Sequence, residues 1–329
     1  MMIVIITPAP TGSKAGNRAT AERWAGLLEH EGHQVSVQTD YIDTPCDLLI
    51  ALHAWRSHSA VARFRKVQPR APLIVVLTGT DIYHHQHKFP EDTLRTMEQA
   101  DCLVGLHRRV ALDIPERFAP RLMTVLQSAE QLGASTGDTD NFQLCVIGHL
   151  RDEKDALRAA LAARLLPDDS AIKVINAGKP HTPEWEAQAR QEQETNPRFE
   201  WIGEIDKPAI QALMRQSKLM VISSVMEGGA NVVSEACRAG LPILASDISG
   251  NIGLLGDEYP GYFRTGDHQD LAQLLTRAEN SPSFLAELKN RVSRRAADFT
   301  PEAEQASLAA AIDRAVAQRA ALNRANPSG

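Results

Sequence analysis

The chain has 329 residues, of which 43% are hydrophobic and 23% are charged. This length is enough for two domains that each bury their own core. A formal net charge of -6, with no cluster of Lys and Arg, indicates neither a nucleic-acid-binding protein nor one that docks on an anionic membrane. Small molecules are therefore the expected partners, and the sequence leaves the oligomeric state open.

The amino-terminal run and the cysteines indicate a cytoplasmic protein. The apolar run 1–6 meets Pro8, so it is too short for a signal peptide and far below the roughly 20 residues of a membrane span. The four cysteines have no CxxC spacing, which indicates neither a disulfide framework nor a zinc site. We expect free thiols and neither a metal nor another cofactor.

Short apolar runs alternate with amphipathic stretches in the first part of the chain. This β-α-β alternation predicts a parallel sheet with helices on both faces. The predicted strands are 2–7, 34–39, 47–52, 73–77, 102–106 and 123–126, and the predicted helices are 19–31, 60–67 and 91–99.

A polar Gly/Ser/Thr/Asp stretch at 133–141 predicts an interdomain linker. After it the alternation restarts, and the Ala-rich stretch 301–324 predicts one long helix. The predicted strands here are 143–148, 173–177, 199–202, 219–223 and 242–246. We expect an α/β protein with two Rossmann-like doubly wound domains, 1–136 and 137–300, that face each other across a cleft. The segment 301–329 is expected to pack back across the domain boundary.

The segment MEGGANVVSE, residues 226–235, predicts an anion site where a strand turns into a helix. Glycines let a phosphate approach the first N–H groups of the helix, whose dipole favours negative charge. Glu227 precedes this turn and Glu235 lies about two turns inside the helix, so they would hold different hydroxyls of one extended ligand. The alternative is an ordinary glycine turn with acidic neighbours. The expected backbone contacts are Gly228, Gly229, Ala230, Asn231 and Val232.

A second candidate anion site follows the first strand, in PAPTGSKAGNR. Two glycines make the loop pliant, Lys14 and Arg18 are positive, and the helix that begins near Asn17 directs its amino end inward. The alternative is a plain connection with solvated basic residues. The expected acceptor-binding residues are Gly12, Ser13, Lys14, Gly16, Asn17 and Arg18.

Two further strand ends carry candidate polar groups. In TGTD, residues 78–81, the residues Thr78, Gly79 and Thr80 are expected to bind the acceptor, and Asp81 is either a reacting carboxylate or a helix cap. His53 ends the strand 47–52 and is either a catalytic candidate or a hydrogen-bonded core residue.

The spacing of Glu227 and Glu235, followed by Gly-Leu-Pro, resembles the donor site of the retaining, glycogen-synthase-like GT-B glycosyltransferases. VIGHLRDEKD, residues 146–155, resembles that group's Gly-Arg-Leu…Glu-Lys segment. The resemblance implies that Glu235 binds the ribose of a nucleotide, Glu227 the sugar hydroxyls, and Lys154 the diphosphate. It makes Lys154 and Glu227 the main catalytic candidates.

The same resemblance assigns two more loops. WIGEI, residues 201–205, corresponds to the loop that meets the base, which implies donor contacts from Gly203 and Ile205. The family's phosphate-binding arginine is His149 here, with Arg151 two positions further on. Which of the two takes that role stays open.

Five separated blocks narrow the resemblance to the selenosugar synthases of selenoneine biosynthesis, a branch of this group. The blocks are ITPAPTGSKAGNRATAERWAGLL, LTGTDIY, GHLRDEKD, EGGANVVSEA and SGNIGLLGDEYPGYF. The resemblance implies that UDP-N-acetylglucosamine or UDP-glucose reacts with selenophosphate to give a 1-seleno sugar. The alternatives are transfer to a hydroxyl acceptor, nucleotide-sugar epimerisation, and nucleotide-sugar binding without catalysis.

Two patterns are typical of metal sites, but their positions in the sequence do not favour metal binding. The D-x-D at 138–140 lies in the predicted linker, whereas a metal-binding D-x-D ends an apolar strand. HHQH, residues 84–87, contains metal-binding imidazoles, yet exposed loop histidines are the simpler expectation.

Overall fold

The computed structural model describes residues 1–13, 16–133 and 142–325. It divides into two compact units. The first contains Met1–Gln127 with Pro301–Gly329, and the second contains Ser128–Thr300. The division therefore falls before the polar stretch, whose residues 134–141 lie outside the described residues.

Among the described residues, the first unit contains a parallel sheet of six strands in the order β2-β1-β3-β4-β5-β6. The strands are β1 Met2–Ile6, β2 Gln34–Gln38, β3 Leu48–Leu52, β4 Leu73–Leu77, β5 Cys102–Gly105 and β6 Leu122–Thr124. Strands β3 and β4 are apolar and buried throughout, as expected for parallel strands covered on both faces. The strand order reverses between β1 and β3, so the loops after these two strands flank a topological switch point.

Helices cover both faces of this sheet. They are α1 Gly16–His30, α2 His58–Val67, α3 Gln86–Lys88, α4 Pro90–Gln99 and α5 Val110–Asp113. One buried cluster contains Phe64 and Phe118, and a second contains Trp24 and Leu28. These two clusters form the core of the unit on either side of the sheet.

The described part of the second unit also has a parallel sheet of six strands, in the order β12-β11-β10-β7-β8-β9. The strands are β7 Phe142–Ile147, β8 Ile172–Ala177, β9 Phe199–Trp201, β10 Leu219–Ile222, β11 Ile243–Ser246 and β12 Tyr262–Phe263. The helices are α6 Arg158–Ala163, α7 Pro183–Thr195, α8 Lys207–Gln216, α9 Asn231–Ala239, α10 Ser249–Leu255, α11 His268–Asn280 and α12 Pro282–Arg295. Here the order reverses between β7 and β10.

The last helix, α13 Pro301–Ala325, belongs to the first unit. It begins with a proline, which suits the first helical position because that N–H has no partner within the helix. Glu304 is buried on it and accepts hydrogen bonds from Arg23 at 2.8 and 3.1 Å and from Trp24 Nε1 at 2.7 Å. Leu308 joins the same cluster as Trp24, so apolar and ionic contacts both fix the helix.

The predicted α/β class with two doubly wound sheets is confirmed. All the predicted strands are present, with ends that differ by the one or two residues typical of strand assignment. Strand β12 was missed because two residues are too few to show a periodicity. Within the described ranges, no helix combines the length and hydropathy that crossing a membrane requires.

Candidate functional site

The loops that follow β7 and β10 meet at the switch point of the second unit. The two strands are adjacent and parallel, with Leu219 paired to Leu144. Their carboxyl ends therefore open at the same edge, where open α/β sheets bind ligands. Residues 148–154 and 223–231, which contain most of the predicted donor-binding residues, form these loops.

Lys154 and Glu227 form an ion pair at this point. Lys154 ends a single helical turn, Asp152–Lys154, and the next residue, Asp155, has a left-handed φ of 45° that ends the turn. Lys154 Nζ donates to Glu227 Oε1, and the same oxygen accepts from Ser224 Oγ at 2.6 Å. Because Glu227 is only 8% exposed, both donors stabilise a carboxylate that has lost most of its water.

A second set of contacts fixes the backbone around Glu227. Ser246 Oγ donates to Ser224 O at 2.6 Å, and Asn251 Nδ2 donates to Ser246 Oγ at 3.0 Å. Gly250 packs so closely that a Cβ there would lie 2.3 Å from Glu227 O. The sequence reasoning missed these supporting residues, although SGNIG was among the quoted blocks.

Helix α9 begins four residues after Glu227. Its N-cap is Ala230, which has no side-chain oxygen to cap the first N–H groups, and its C-cap is Gly240 in the left-handed region. Gly228 is buried and Gly229 half-buried at the turn. Glu235 is half-buried within the helix. The amino end of α9 and both glutamates therefore belong to one local structure, as the motif predicts.

His149 lies beside His181, a residue that the sequence reasoning missed. The bridge between Leu150 and Pro180 extends the pairing of β7 with β8 and brings the two rings to 5.5 Å. Burial, then the neighbouring His181 and Arg151, lowers the pKa of His149. Arg151 Nε is buried without a hydrogen-bond partner and lies 3.7 Å from Glu153 Oε2. Of His149 and Arg151, the residue that is charged at neutral pH is therefore Arg151.

The loop after β9 contacts the loop after β8, which in turn packs against the loop after β7, and glycines make both contacts. Gly203, at φ 72°, accepts a hydrogen bond from Gly178 N at 2.8 Å. A Cβ on Gly178 would lie 1.8 Å from Gly148 O, so no larger residue fits there without displacing backbone. Ile205 is half-buried on the same loop. Through Gly178, the WIGEI segment is thus linked to the loop after β7, which contains His149, Arg151 and Lys154.

In the first unit, the loop after β1 and the start of α1 contain the predicted acceptor residues. Gly12 has a φ of 79°, and Ser13 N donates to Pro10 O at 3.1 Å. Helix α1 begins at Gly16, earlier than predicted, and Lys14 lies outside the described residues. Arg18 is buried; its Nε donates to Glu22 at 2.6 Å, whereas its Nη1 is buried without a partner.

Asp81 organises the loops that follow β3 and β4. It is fully buried and accepts hydrogen bonds from the backbone N–H groups of Ala54 at 2.9 Å, Gly79 at 2.8 Å and Ile82 at 3.2 Å. It also accepts from the N–H of Thr78 at 2.9 Å. This is the geometry of a buried structural carboxylate, and its catalytic role stays a prediction.

His53 has the hydrogen bonds of a buried neutral imidazole. Its Nε2 lies 3.0 Å from Thr80 Oγ1, and its Nδ1 accepts from Arg56 N at 3.2 Å. Burial lowers its pKa, although the charge of Asp81 opposes this. Its φ of 74° is unusual outside glycine and turns the chain sharply at the end of β3.

The sequence reasoning missed a buried histidine just after β5. His107 Nε2 lies 2.8 Å from Tyr83 Oη, which donates to Asp113 Oδ2 at 3.0 Å. His107 Nδ1 accepts from Arg109 N at 3.2 Å, so the proton is on Nε2 and the ring is neutral. Burial and the Arg109 charge lower its pKa to about 4. No spacing signal in the sequence marks this chain of contacts.

The HHQH segment is not the exposed loop that was expected. His84 and His87 are exposed, but His85 is buried in a helical stretch and stacks on Trp55 at 4.3 Å. In the ranges that the structure describes, no group of three or more His, Cys, Asp or Glu side chains is placed to hold a metal. The D-x-D at 138–140 lies outside these ranges.

Three solved structures show the same fold at low sequence identity. Anabaena HepE in complex with UDP and glucose has a TM-score of 0.74 and 16% identity, over 95% of this chain and 99% of that one. The sucrose-phosphate synthase of Thermosynechococcus elongatus has a TM-score of 0.77 and 15% identity, over 96% and 99%. TarM of S. aureus has a TM-score of 0.65 and 16% identity, over 80% and 55%.

The family of the chain follows from the unit that contains the Lys154–Glu227 pair. Residues 128–299 match the family described as glycosyl transferases group 1. This match covers almost all of the second unit and more than half of the chain. The chain belongs to the glycosyl transferases group 1.

Proposed function

We propose that the chain transfers a sugar from a UDP-sugar to the selenium of selenophosphate, which makes it a selenosugar synthase. The observation that supports a UDP-sugar donor is the ion pair of Lys154 and Glu227 at the switch point, next to the start of α9. The donor is UDP-glucose or UDP-N-acetylglucosamine. Neither a metal nor another cofactor takes part.

The donor roles follow from charge and hydrogen-bonding capacity. Lys154 and the first N–H groups of α9 bind the diphosphate, since both provide positive charge where the anion lies. Glu235 accepts from the ribose hydroxyls, and Glu227 accepts from the sugar hydroxyls. The HepE structures with UDP, with UDP-glucose and with UDP and glucose support this choice of donor.

The reaction breaks the bond between the anomeric carbon and the UDP oxygen, and the electron pair leaves with UDP. A selenium lone pair of selenophosphate forms the new carbon–selenium bond. Water then cleaves the selenium–phosphorus bond and releases phosphate and the 1-seleno sugar. The nucleophile is already ionised near neutral pH, so it needs positioning rather than a general base. Lys154 stabilises the charge that grows on the departing diphosphate.

The proposed acceptor-binding residues lie in the first unit. The loop after β1 leads into the amino end of α1, and the buried Arg18 Nη1 has no partner there. An unpaired guanidinium N–H suits a phosphate-type oxygen. The resemblance of five sequence blocks to selenosugar synthases supports selenophosphate as the anion.

A second candidate function is transfer to a hydroxyl acceptor, which the family and the likeness to a sucrose-phosphate synthase fit equally well. A UDP-release assay with and without selenophosphate separates the two. The proposal predicts release that depends on selenophosphate. Release that ignores selenophosphate and responds to a sugar or lipid hydroxyl supports the second candidate. Interconversion of the donor sugar indicates an epimerase, and UDP binding without turnover indicates a silent binder.

A further inference from the structure

Two hydrogen bonds to Glu227 end on the same carboxylate oxygen. Lys154 Nζ and Ser224 Oγ both donate to Oε1, the hydroxyl at 2.6 Å. Among the contacts of the described residues, no donor lies within hydrogen-bond distance of Oε2. Nor does Oε2 belong to the fully buried side-chain atoms that lack a partner there, so it is accessible to a ligand. The chain therefore holds one oxygen of Glu227 and leaves the other to accept from a ligand.

The two donors to Oε1 respond differently to a bound anion. The Lys154 side chain is 20% exposed, and in the proposed function the diphosphate replaces Glu227 as its partner. Ser224 is a neutral residue that is only 1% exposed, so a bound diphosphate does not reach its hydroxyl. When Lys154 binds the diphosphate, Ser224 is therefore the donor that stays on Oε1.

Buried polar contacts fix Ser224 in turn. Its backbone oxygen accepts from Ser246 Oγ at 2.6 Å, and Ser246 Oγ accepts from Asn251 Nδ2 at 3.0 Å. Ser246 and Asn251 are both fully buried. Because a buried polar group that loses its partner is costly, this chain of contacts keeps residue 224 in place when a ligand enters.

We propose that Ser224 is a positioning residue of the donor site, which holds Glu227 in its sugar-binding orientation once the diphosphate has bound Lys154. The inference rests on the proposed function and adds the residue that orders its carboxylate in advance. Ordering a flexible side chain costs part of the binding free energy, and a carboxylate that is already held avoids that cost. Ser224 does not itself touch the nucleotide, so its effect should appear with a UDP-sugar rather than with UDP.

The test compares UDP with the tighter-binding of UDP-glucose and UDP-N-acetylglucosamine, by calorimetric titration of the full-length protein. Ser224→Ala should weaken binding of the UDP-sugar about three- to tenfold, because the sugar then has to order Glu227. UDP has no sugar from which Glu227 can accept, so its affinity should change by less than about twofold. The difference between the two ligands is the readout, since a merely structural role would weaken both.

The matched control is Ser223→Ala, which removes the hydroxyl of the preceding buried serine. Ser223 Oγ donates to the backbone oxygens of Asp155 at 2.8 Å and Lys154 at 3.3 Å and not to Glu227, so this variant should affect the two ligands alike.

A selective loss of the UDP-sugar in Ser224→Ala but not in Ser223→Ala supports the proposal. Three results would overturn it: no loss in Ser224→Ala, an equal loss of both ligands in that variant, or the same selective loss in Ser223→Ala. In all three the wild type still binds the UDP-sugar, so the proposed donor site stands. A wild type that binds no UDP-sugar would contradict the proposed function and this inference with it.

Discussion

Lys154 and Glu227 are 73 residues apart in the sequence, yet they form a hydrogen-bonded ion pair at the switch point of the second unit. Their side chains are 20% and 9% exposed. Because water reaches these side chains only in part, each charge is stabilised by the other when no ligand is bound. In the proposed function, a bound diphosphate replaces Glu227 as the partner of Lys154, and Glu227 then accepts hydrogen bonds from the sugar hydroxyls.

Lys154→Ala should lower turnover about a hundredfold or more, since it removes a donor to the charge that develops on the leaving diphosphate. The measurement is initial-rate UDP release at saturating donor. The control is Lys173→Ala, which removes an exposed lysine of β8 whose Nζ contacts Pro197 O. Similar rates for Lys154→Ala and the wild type would contradict the role assigned to Lys154.

The two glutamates should affect different parts of the donor. Glu235→Ala should weaken the binding of UDP itself by about 10- to 150-fold, because a hydrogen bond to a charged group contributes about 1.5–3 kcal/mol. Glu227→Gln should leave UDP binding nearly unchanged and weaken UDP-sugar binding. Calorimetric titration with both ligands measures this, and equal losses for both ligands in both variants would contradict separate roles.

His107 should make the stability of the first unit depend on pH. Its pKa is about 4 in the folded chain and near 6.5 in the unfolded chain, so the unfolded state binds the extra proton first. Stability should fall as pH drops through this window, by about 2 kcal/mol between pH 7.5 and pH 5. Urea unfolding at the two pH values should show a smaller decrease for His107→Gln. An equal decrease in both proteins would rule out His107 as the source.

Glu304→Ala should destabilise the first unit by about 3–5 kcal/mol, because it leaves Arg23 and Trp24 Nε1 without their buried acceptor. Asp313→Ala is the control on the same helix: it is exposed and should change the free energy of unfolding by no more than about 0.5 kcal/mol. Denaturant unfolding followed by the intrinsic tryptophan fluorescence of the protein measures both. Equal stabilities would show that the ion pair does not fix α13.

Local patterns predicted the strands and the glycine turn before α9 because each lies in one continuous stretch. Leu73–Leu77 is a pure apolar run, and Gly228 with Gly229, which follow the apolar run 219–222, indicate a turn at the end of a strand. The sequence therefore predicted the fold class, and it placed Glu227 before one helix and Glu235 inside that helix, where α9 Asn231–Ala239 has it as the fifth residue.

Contacts between distant stretches were beyond this reasoning. Nothing in the sequence shows that Gly250 packs against the backbone carbonyl of Glu227, where a Cβ on residue 250 would not fit. Nor does the sequence show that His107 contacts Tyr83. Asp81 appeared as a lone polar group at a strand end, and only the structure shows four backbone N–H groups around it.

The central claim is that a uridine diphosphate binds where β7 and β10 end. The most direct measurement is a crystal structure of the full chain with UDP. We predict the diphosphate within hydrogen-bond distance of Lys154 Nζ and the first N–H groups of α9, with the ribose against Glu235. A nucleotide bound elsewhere, out of reach of both Lys154 and Glu235, would contradict the account.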